Sequence, residues 1–342
     1  MGIYSLSQLV DRHGQAGTEV NISLGVRPSG TVHLGNLITL ALAQGLARKI
    51  GPHQSKINLT ICDLDLPEGL DWKTIREGYA KHYRDLPDPT KCHRTLSEHS
   101  TAEITDFYDS LAKDVNVPVE IRKLSEIQRD PLFREGIKRV LETPGLVSFL
   151  IPHLAPGTVP VYPLCPECKG SYTGSVKGKR NSYENGRIST FCNNDECSVK
   201  DFDVDIMDPS IDLSVHMFID PLRDSLLQPY ADIHVFGGDY NEQHGANKLS
   251  KIEKILRVMN VASNGERVPD VLIGPTIYAR DGKKMSKSCA NGLDVKRLRD
   301  FLGPEEYAGK ILKFTMDLVG EGYNNIDYPQ VVEKLLGSGF SQ

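Results

Sequence analysis

Residues 22–36 read ISLGVRPSGTVHLGN, and this stretch decides the fold of the chain. Apolar residues alternate up to Val26, which predicts a β-strand, and residues 28–30 then turn the chain. From Asn36 onward, apolar residues recur at helical spacing until Gly51-Pro52 ends the helix. A strand–loop–helix unit directs helix N–H groups and the positive end of the helix dipole towards the loop, where phosphate binds readily. The stretch therefore predicts a nucleotide-binding α/β fold, and the alternative is an ordinary turn with a structural histidine.

A second informative stretch, KMSKS at residues 284–288, lies far downstream. It follows a predicted buried strand over 271–277 and a positively charged turn over 280–284. Such a loop suits a polyphosphate whose charge must be held as it leaves, although solvated lysine-rich loops are common. In the first stretch, His33 can donate a hydrogen bond to a phosphate oxygen, and Gly35 lets a nucleotide approach closely.

Residues 33–36 (His-Leu-Gly-Asn, the first signature) and residues 284–288 (the second signature) together resemble the class I aminoacyl-tRNA synthetases. The first signature has Asn at its fourth position, where the family usually has His, and the second signature matches at every position. The resemblance covers residues 21–288 and implies a Rossmann-type parallel sheet, ATP with Mg²⁺, and an aminoacyl-adenylate intermediate. It implies catalytic roles at the phosphates for His33, Asn36, Lys284 and Lys287, and ATP contacts for Gly35, Met285, Ser286 and Ser288.

Four of the seven cysteines form two close pairs, Cys165-x2-Cys168 and Cys192-x4-Cys197. Two such pairs joined by a glycine-rich stretch are typical of a tetrahedral Cys₄ site for structural Zn²⁺. The sequence therefore predicts a zinc ribbon, and the alternative is four unrelated thiols in a reduced protein.

A zinc ribbon between the two signatures resembles the class I type of lysyl-tRNA synthetase. Residues 236–240 with His244 resemble a segment that this family places against ATP and the amino acid. The resemblance implies that Gly237, Gly238 and Asp239 bind ATP and that His244 binds the substrate. Those enzymes usually carry tryptophans between the ribbon and this segment, whereas the only tryptophan here is Trp72.

If the substrate is lysine or a close relative, its ammonium group needs a carboxylate partner, because an unpaired buried charge is costly. The candidates are Asp63, Asp65 and Asp220. The first two end a predicted strand over 57–62, where an open α/β sheet places its site. The alternative for them is a turn before Pro67.

Bulk properties predict a cytoplasmic enzyme without a membrane partner. The chain has 342 residues, 39% of them hydrophobic, and a formal net charge of −5. It has neither a signal-peptide pattern nor an apolar run of membrane-spanning length. The negative net charge gives no overall nucleic-acid signature, so phosphates of a tRNA acceptor stem would have to meet local basic clusters such as Lys296, Arg297 and Arg299.

Four segments are predicted. Residues 1–155 form the first half of a Rossmann-type catalytic domain, with a helical insertion near 71–84, and residues 156–208 form the zinc ribbon. Residues 209–288 complete the catalytic domain, and residues 289–342 form a short helical module around Leu298, Ile311 and Val331. That module is smaller than the family's usual anticodon-binding domain, so any tRNA charging is expected to rely on the acceptor stem.

Three functions compete at this stage. The first is a lysyl-type tRNA ligase, and the second is an amino-acid ligase that passes the same adenylate to a carrier protein or a small amine. The third is a non-catalytic paralogue that binds amino acid or tRNA. The intact second signature argues against the third, because a binding module needs no pyrophosphate clamp.

Overall fold

The computed structural model describes residues 2–15, 17–65, 79–88, 91–150, 158–172, 181–215, 231–240, 243–260, 268–285 and 293–337. The described helices, in chain order, are α1 (Leu6–His13), α2 (Leu34–Ile50), α3 (Leu96–Ala112), α4 (Leu124–Ile127), α5 (Pro131–Glu142), α6 (Leu146–Leu150), α7 (Gln243–Asn260), α8 (Val295–Leu302), α9 (Tyr307–Gly320) and α10 (Tyr328–Val331), the last continued by a π-helical turn over Val332–Leu336. The described strands are β1 (Val20–Val26), β2 (Ser55–Ile61), β3 (Tyr79–Ala80), β4 (Pro87–Asp88), β5 (Lys91–Thr95), β6 (Val119–Lys123), β7 (Val161–Pro163), β8 (Ser171–Tyr172), β9 (Ser182–Glu184), β10 (Arg187–Phe191), β11 (Asp201–Asp205), β12 (Leu213–Val215), β13 (Ile233–Phe236), β14 (Asp270–Ile273), β15 (Thr276–Ile277) and β16 (Asn325–Ile326).

Five parallel strands form the central sheet in the order β14-β13-β1-β2-β6. Strand β1 lies in the middle, with β2 and β6 on one side and β13 and β14 on the other. The strand order therefore reverses between β1 and β13, as it does between the two halves of a Rossmann fold. The predicted fold class, α/β with a Rossmann-type parallel sheet, is confirmed.

Helix α2 is buried on nearly every side because the sheet covers one face and helix α9 covers another. A Cβ atom added at Gly45 of α2 would lie 2.0 Å from Sδ of Met316 on α9, so a glycine lets these helices approach closely. The predicted helices around Leu298, Ile311 and Val331 are present, and all three residues belong to the same hydrophobic core as the sheet. None of the described helices combines the length and the apolar character needed to cross a membrane.

A second core lies beneath the cysteine-bearing segment, where β9, β10 and β11 form an antiparallel sheet. Arg134 of helix α5 reaches this segment, and only 1% of its surface is exposed. Its guanidinium donates to the carbonyl oxygens of Gln128 at 2.5 Å and Ile211 at 2.5 Å. Burial lowers the pKa of Arg134 to about 10, and these backbone acceptors offset part of the cost of burying its charge.

One local prediction is wrong. The strand predicted over 271–277 is divided into β14, which lies in the central sheet, and β15, which pairs with β16. Gly274-Pro275 separates the two strands, because proline has no N–H to continue a ladder. Residues 71–78 of the insertion predicted as helical near 71–84 lie outside the described residues, and residues 79–84 contain strand β3 and the start of a 3₁₀ turn over Tyr83–Asp85.

Candidate active site

The carboxyl ends of β1 and β13 lie side by side, because Ile22 and Ser23 pair with Ile233 and His234. The strand order reverses at this point, and open α/β sheets bind ligands in the crevice formed there. The loop after β1 carries the first signature, and the 3₁₀ turn Gly238–Tyr240 follows β13. The structure thus brings these two predicted segments to one crevice.

His33 caps helix α2. Its backbone is extended, and its Nδ1 accepts a hydrogen bond from the Gly35 N–H at 3.0 Å. A neutral ring that accepts at Nδ1 carries its proton on Nε2, the atom able to donate to a phosphate. A Cβ atom at position 35 would lie 2.9 Å from Cε1 of this ring. The capping His33 ring therefore leaves no room for a side chain at position 35. This steric requirement for glycine is separate from the close nucleotide approach that the sequence predicts.

The first-turn N–H groups of α2 already have acceptors. Leu34 N donates to the Leu293 carbonyl at 2.8 Å, while Asn36 N and Leu37 N donate to the His33 carbonyl at 2.9 and 3.1 Å. A phosphate oxygen can take the Gly35 N–H only by displacing the His33 imidazole. Phosphate binding through the Gly35 N–H would therefore require a movement of His33, whereas a hydrogen bond from Nε2 of His33 would not.

The side-chain oxygen of Asn36 is buried. Its Oδ1 is inaccessible to solvent and has no hydrogen-bond partner among the residues that the structure describes. Buried polar atoms are nearly always satisfied in native proteins, by protein, water or ligand. A bound ligand or its hydration shell would satisfy this atom, and the phosphate role of Asn36 stays a prediction.

The chain enters the second signature from a small anchored turn. Tyr278 and Lys284 form an antiparallel bridge, and Met285 N donates to the Ile277 carbonyl at 2.7 Å. The Met285 side chain is only 3% exposed and packs in the main core, so it anchors the start of the signature. The predicted site residues that lie outside the described part of the chain are Ser286, Lys287, Ser288 and Asp220.

The main chain that follows the second signature pairs with the loop of the first. Val295 N donates to the Val32 carbonyl at 2.8 Å, and His33 forms an antiparallel bridge with Asp294. Together with the Leu34–Leu293 bond, these contacts join two segments that are distant in sequence. The described residues that flank 286–292 are therefore anchored, Met285 to β15 and Leu293 to the first signature.

The C-terminal strand β16 supports the approach to the second signature. It pairs in parallel with β15, and Tyr278 N donates to the Ile326 carbonyl at 2.8 Å. The segment after residue 293 therefore supports β15 and the described start of the second signature.

Gly238 packs against the backbone that leads to β15. A Cβ atom at this position would lie 2.5 Å from Cα of Thr276 and 2.6 Å from the Pro275 carbonyl oxygen. The Thr276 hydroxyl also donates to the Gly238 carbonyl at 2.8 Å. The glycine is thus required for contact between protein segments, in addition to the ATP contact that the sequence predicts. The main chain of Asp239 lies in the same turn, and His244 lies in the first turn of α7.

We expect Gly238→Ala to lower the free energy of unfolding by about 1–3 kcal/mol, the usual cost of overpacking. The methyl group would push the Gly238–Tyr240 turn away from Thr276, and denaturant unfolding measures the loss. Gly309→Ala in helix α9 is the matched control, because a Cβ atom there meets nothing within 4 Å. Equal stability of the two variants would contradict the close packing at Gly238.

Two of the three candidate carboxylates lie at the carboxyl end of β2, and both have protein partners. Asp63 is fully buried and accepts from Ser125 N at 2.9 Å and from the Ser125 hydroxyl at 2.6 Å. Burial raises the pKa of the Asp63 carboxyl, although the bonds from Ser125 oppose this shift. Asp65 forms an ion pair with Arg27 at 2.8 Å. Of the two carboxylates, Asp65 is the more accessible, because its side chain is 7% exposed and that of Arg27 is 24% exposed.

Sequence reasoning missed Arg27 and Ser125. The available signal for Arg27 was its position directly after the apolar run of β1, at the end of the sheet where ligands bind. Ser125 lies in the short helix Leu124–Ile127 after β6, and no local pattern links it to Asp63.

The four predicted cysteines converge on one buried point. Their Sγ atoms all lie within 4.8 Å of one another, with Cys165–Cys197 at 3.6 Å and Cys168–Cys192 at 3.5 Å. Zinc–sulfur bonds of about 2.3 Å place tetrahedral sulfur atoms roughly 3.8 Å apart, so the cluster fits Zn²⁺. Burial raises the pKa of the Cys192 and Cys197 thiols, and a bound cation would stabilise the thiolate forms. The four cysteines could therefore hold a closed, structural metal site.

The cations predicted to meet tRNA phosphates lie on helix α8. Arg299 pairs with Asp106 at 3.4 Å and its guanidinium lies over the ring of Tyr307. Arg297 lies near Asp294, at 3.7 Å, and the Lys296 side chain is exposed. Carboxylates therefore balance part of the positive charge of this helix.

A five-stranded parallel sheet of this order, with a signature loop at the reversal point, defines a Rossmann-type nucleotide-binding protein. The family model described as tRNA synthetases class I (K) matches residues 5–314. The chain therefore belongs to the class I aminoacyl-tRNA synthetase family, as its two signatures predict.

Several curated relatives are archaeal proteins named lysine–tRNA ligase. The relative from Haloarcula marismortui is 25% identical over 318 residues, which cover 83% of this chain and 54% of that protein. The relative from Cenarchaeum symbiosum is 25% identical over 180 residues, covering 48% of this chain and 33% of that protein. This chain thus spans about half, or less, of the length of these relatives.

Solved class I synthetases show a distant similarity. The tyrosyl-tRNA synthetase from Archaeoglobus fulgidus, complexed with L-tyrosine, has a TM-score of 0.42 and 14% identity, covering 98% of this chain and 86% of that chain. The tryptophanyl-tRNA synthetase from Campylobacter jejuni, complexed with ADP and tryptophan, has a TM-score of 0.40 and 14% identity, covering 84% and 67%. Neither similarity identifies a substrate for this chain.

Proposed function

We propose that this chain uses ATP to activate an amino acid as its adenylate and then transfers the aminoacyl group to tRNA, with lysine as the amino acid. The observation that carries the proposal is the backbone pairing of residues 293–295 with the first-signature loop. It supports a nucleotide site at the crevice between β1 and β13, because it ties the described chain after the second signature to the loop of the first.

The chemistry follows from charge. An oxygen of the substrate carboxylate forms a bond to the α-phosphorus of ATP, the bond to the bridging oxygen breaks, and pyrophosphate leaves. A carboxylate is already nucleophilic, so the protein's work is positioning and stabilising the developing negative charge. His33 and Asn36 would act from the helix α2 side, and Lys284 and Lys287 from the opposite side. Mg²⁺ bound to the phosphates would neutralise further charge.

Two observations support a positively charged amino acid. The curated relatives named above are lysine–tRNA ligases, and Asp65 stands at the carboxyl end of β2. An incoming ammonium group would share the Asp65 carboxylate with Arg27 or take it over, which avoids an unpaired charge in the crevice. Asp63 is the weaker candidate, because Ser125 already donates to both of its oxygens.

ATP–pyrophosphate exchange across the standard amino acids and ornithine tests the activation step. We expect exchange with lysine or a close relative, and little with glutamate or aliphatic amino acids. Exchange with glutamate or an aliphatic amino acid and none with lysine would overturn the substrate. Exchange with no amino acid, in protein that still binds ATP, would overturn activation itself and favour a non-catalytic paralogue.

Aminoacylation of full-length tRNA and of an acceptor-stem minihelix tests the transfer step. We expect charging of RNA that weakens steeply with salt, because each neutralised phosphate releases counterions. Lys296→Ala should weaken RNA binding, and Lys49→Ala, at an exposed lysine in the last turn of α2, is a control for loss of one lysine elsewhere. Robust exchange without charging of either RNA would show that the acceptor is a carrier protein or a small amine.

A further inference from the structure

Helix α3 contacts the first-signature loop through two hydrogen bonds. The Val32 N–H donates to Oε2 of Glu103 at 2.6 Å, and the Ser100 hydroxyl donates to the Gly30 carbonyl at 2.6 Å. Ser100 and Glu103 are three residues apart, so they lie on the same face of α3. Gly30 has a φ of +113°, a conformation open mainly to glycine. The helix thus holds the loop in a specific conformation immediately before His33.

Glu103 is itself held in place by a buried histidine. Nε2 of His99 lies 3.0 Å from Oε1 of Glu103, and Nδ1 of His99 contacts a carboxylate oxygen of Asp88. His99 is 5% exposed and Asp88 is 4% exposed. Both ring nitrogens therefore face carboxylates, and this fixes the ring and the Glu103 side chain together. Oε1 of Glu103 contacts the histidine, and Oε2 accepts the hydrogen bond from Val32 of the loop.

The loop is held from the opposite side as well. The Val32 carbonyl accepts from Val295 N, so residue 32 donates to Glu103 and accepts from the chain that leaves the second signature. Val32 is therefore the point at which α3, the first signature and the second signature are connected. A change in Glu103 would act on the geometry of His33 without touching the substrate crevice directly.

Glu103 does not fill a closely packed core. Together with Thr31 and His99 it lines a cavity of about 610 Å³ between α3 and α8. Truncation of its side chain would enlarge this cavity and leave the apolar core intact, so the truncated variant is expected to fold.

We propose that Glu103, oriented by His99, is a positioning residue that sets the conformation of the first-signature loop for adenylate formation. The proposal rests on the proposed activation of an amino acid by ATP. Its physical basis is that catalysis by fixed charges depends on placement, and a displacement of about 1 Å can lower a rate by 10²-fold.

The test compares Glu103→Ala with Glu103→Gln. Alanine removes the acceptor for the Val32 N–H, and kcat for pyrophosphate exchange should fall roughly 10- to 100-fold while KM for the amino acid changes little. Glutamine keeps an oxygen for Val32 N–H and offers an N–H to His99 Nε2, whose Nδ1 can still donate to Asp88. Its kcat should stay within about threefold of the parent value.

Glu98→Ala is the matched control on the same helix. Glu98 caps the helix by accepting from Thr95 N at 2.8 Å, is exposed, and does not bond to the loop. The Glu98→Ala variant should weaken the cap of α3 without lowering kcat. An equal fall in kcat for Glu98→Ala and Glu103→Ala, or unchanged kcat in Glu103→Ala, would overturn the positioning role.

Amide hydrogen exchange provides a readout that is independent of activity. The Val32 amide should exchange faster in Glu103→Ala than in the parent, in Glu103→Gln and in Glu98→Ala. Unchanged protection of Val32 in Glu103→Ala would overturn the proposal even if activity fell. If the parent protein activates no amino acid, the proposed function fails, and this measurement still decides whether Glu103 holds the loop.

Discussion

Replacing Lys287 by alanine is expected to lower the rate of amino-acid-dependent pyrophosphate exchange by about 10²–10³, the usual cost of losing one charge-stabilising contact. Lys287 lies outside the described residues, but the chain on either side of it is anchored, since Met285 bonds to Ile277 and Leu293 bonds to Leu34 of the first signature. A lysine there should contact the phosphates more strongly in the transition state than in the ground state. ATP binding should therefore weaken much less than the rate falls.

Lys283→Ala is the matched control for Lys287→Ala. Its side chain is exposed in the turn that precedes the second signature, and its backbone carbonyl accepts from Ala279 N. This variant removes one positive charge nearby and should keep close to the parental exchange rate. If Lys287→Ala also keeps the parental rate, this lysine has no part in the reaction.

Replacing Cys197 by serine is expected to abolish tight zinc binding and to unfold the cysteine-bearing segment. The sulfur atoms of all four cysteines converge within 4.8 Å, and structural zinc typically contributes about 10–16 kcal/mol to the folding of small zinc domains. Elemental analysis of protein purified without added zinc should find close to one zinc per parent chain and almost none in the variant. Thermal unfolding and limited proteolysis between residues 158 and 215 should report the structural loss.

Cys62→Ala serves as the control for Cys197→Ser. Cys62 is a buried cysteine that follows β2 and is not part of the four-cysteine cluster. Its replacement should leave the zinc content unchanged. Parental protein without zinc, or Cys197→Ser with full zinc content and unchanged stability, would show that the cluster is not a metal site.

Patterns confined to short stretches predicted the fold class. The alternation up to Val26, the break at Pro28 to Gly30 and the helical spacing after Asn36 define a strand–loop–helix unit, and that unit stands at the centre of the sheet. The cysteine spacing likewise predicted which four thiols converge. Local patterns succeed here because backbone geometry and ligand spacing are set within a few residues.

The same patterns predicted less about the contacts of each side chain. Spacing alone could not show that Asp65 pairs with Arg27 or that Ser125 donates to Asp63. It also predicted a single strand over 271–277, where Pro275 separates two. Such contacts depend on which distant segments become neighbours in the folded chain, and a period of two or 3.6 residues does not carry that information.

The sequence by itself determined the family, through two signatures, and the composition of the cysteine site. Only the tertiary structure decided that the first-turn N–H groups of α2 have internal acceptors and that Gly238 packs against Thr276. Only the tertiary structure placed Glu103 against the Val32 N–H. The physical reason is that a motif records residues that chemistry requires, whereas hydrogen-bond partners and steric limits arise from segments that meet only after folding.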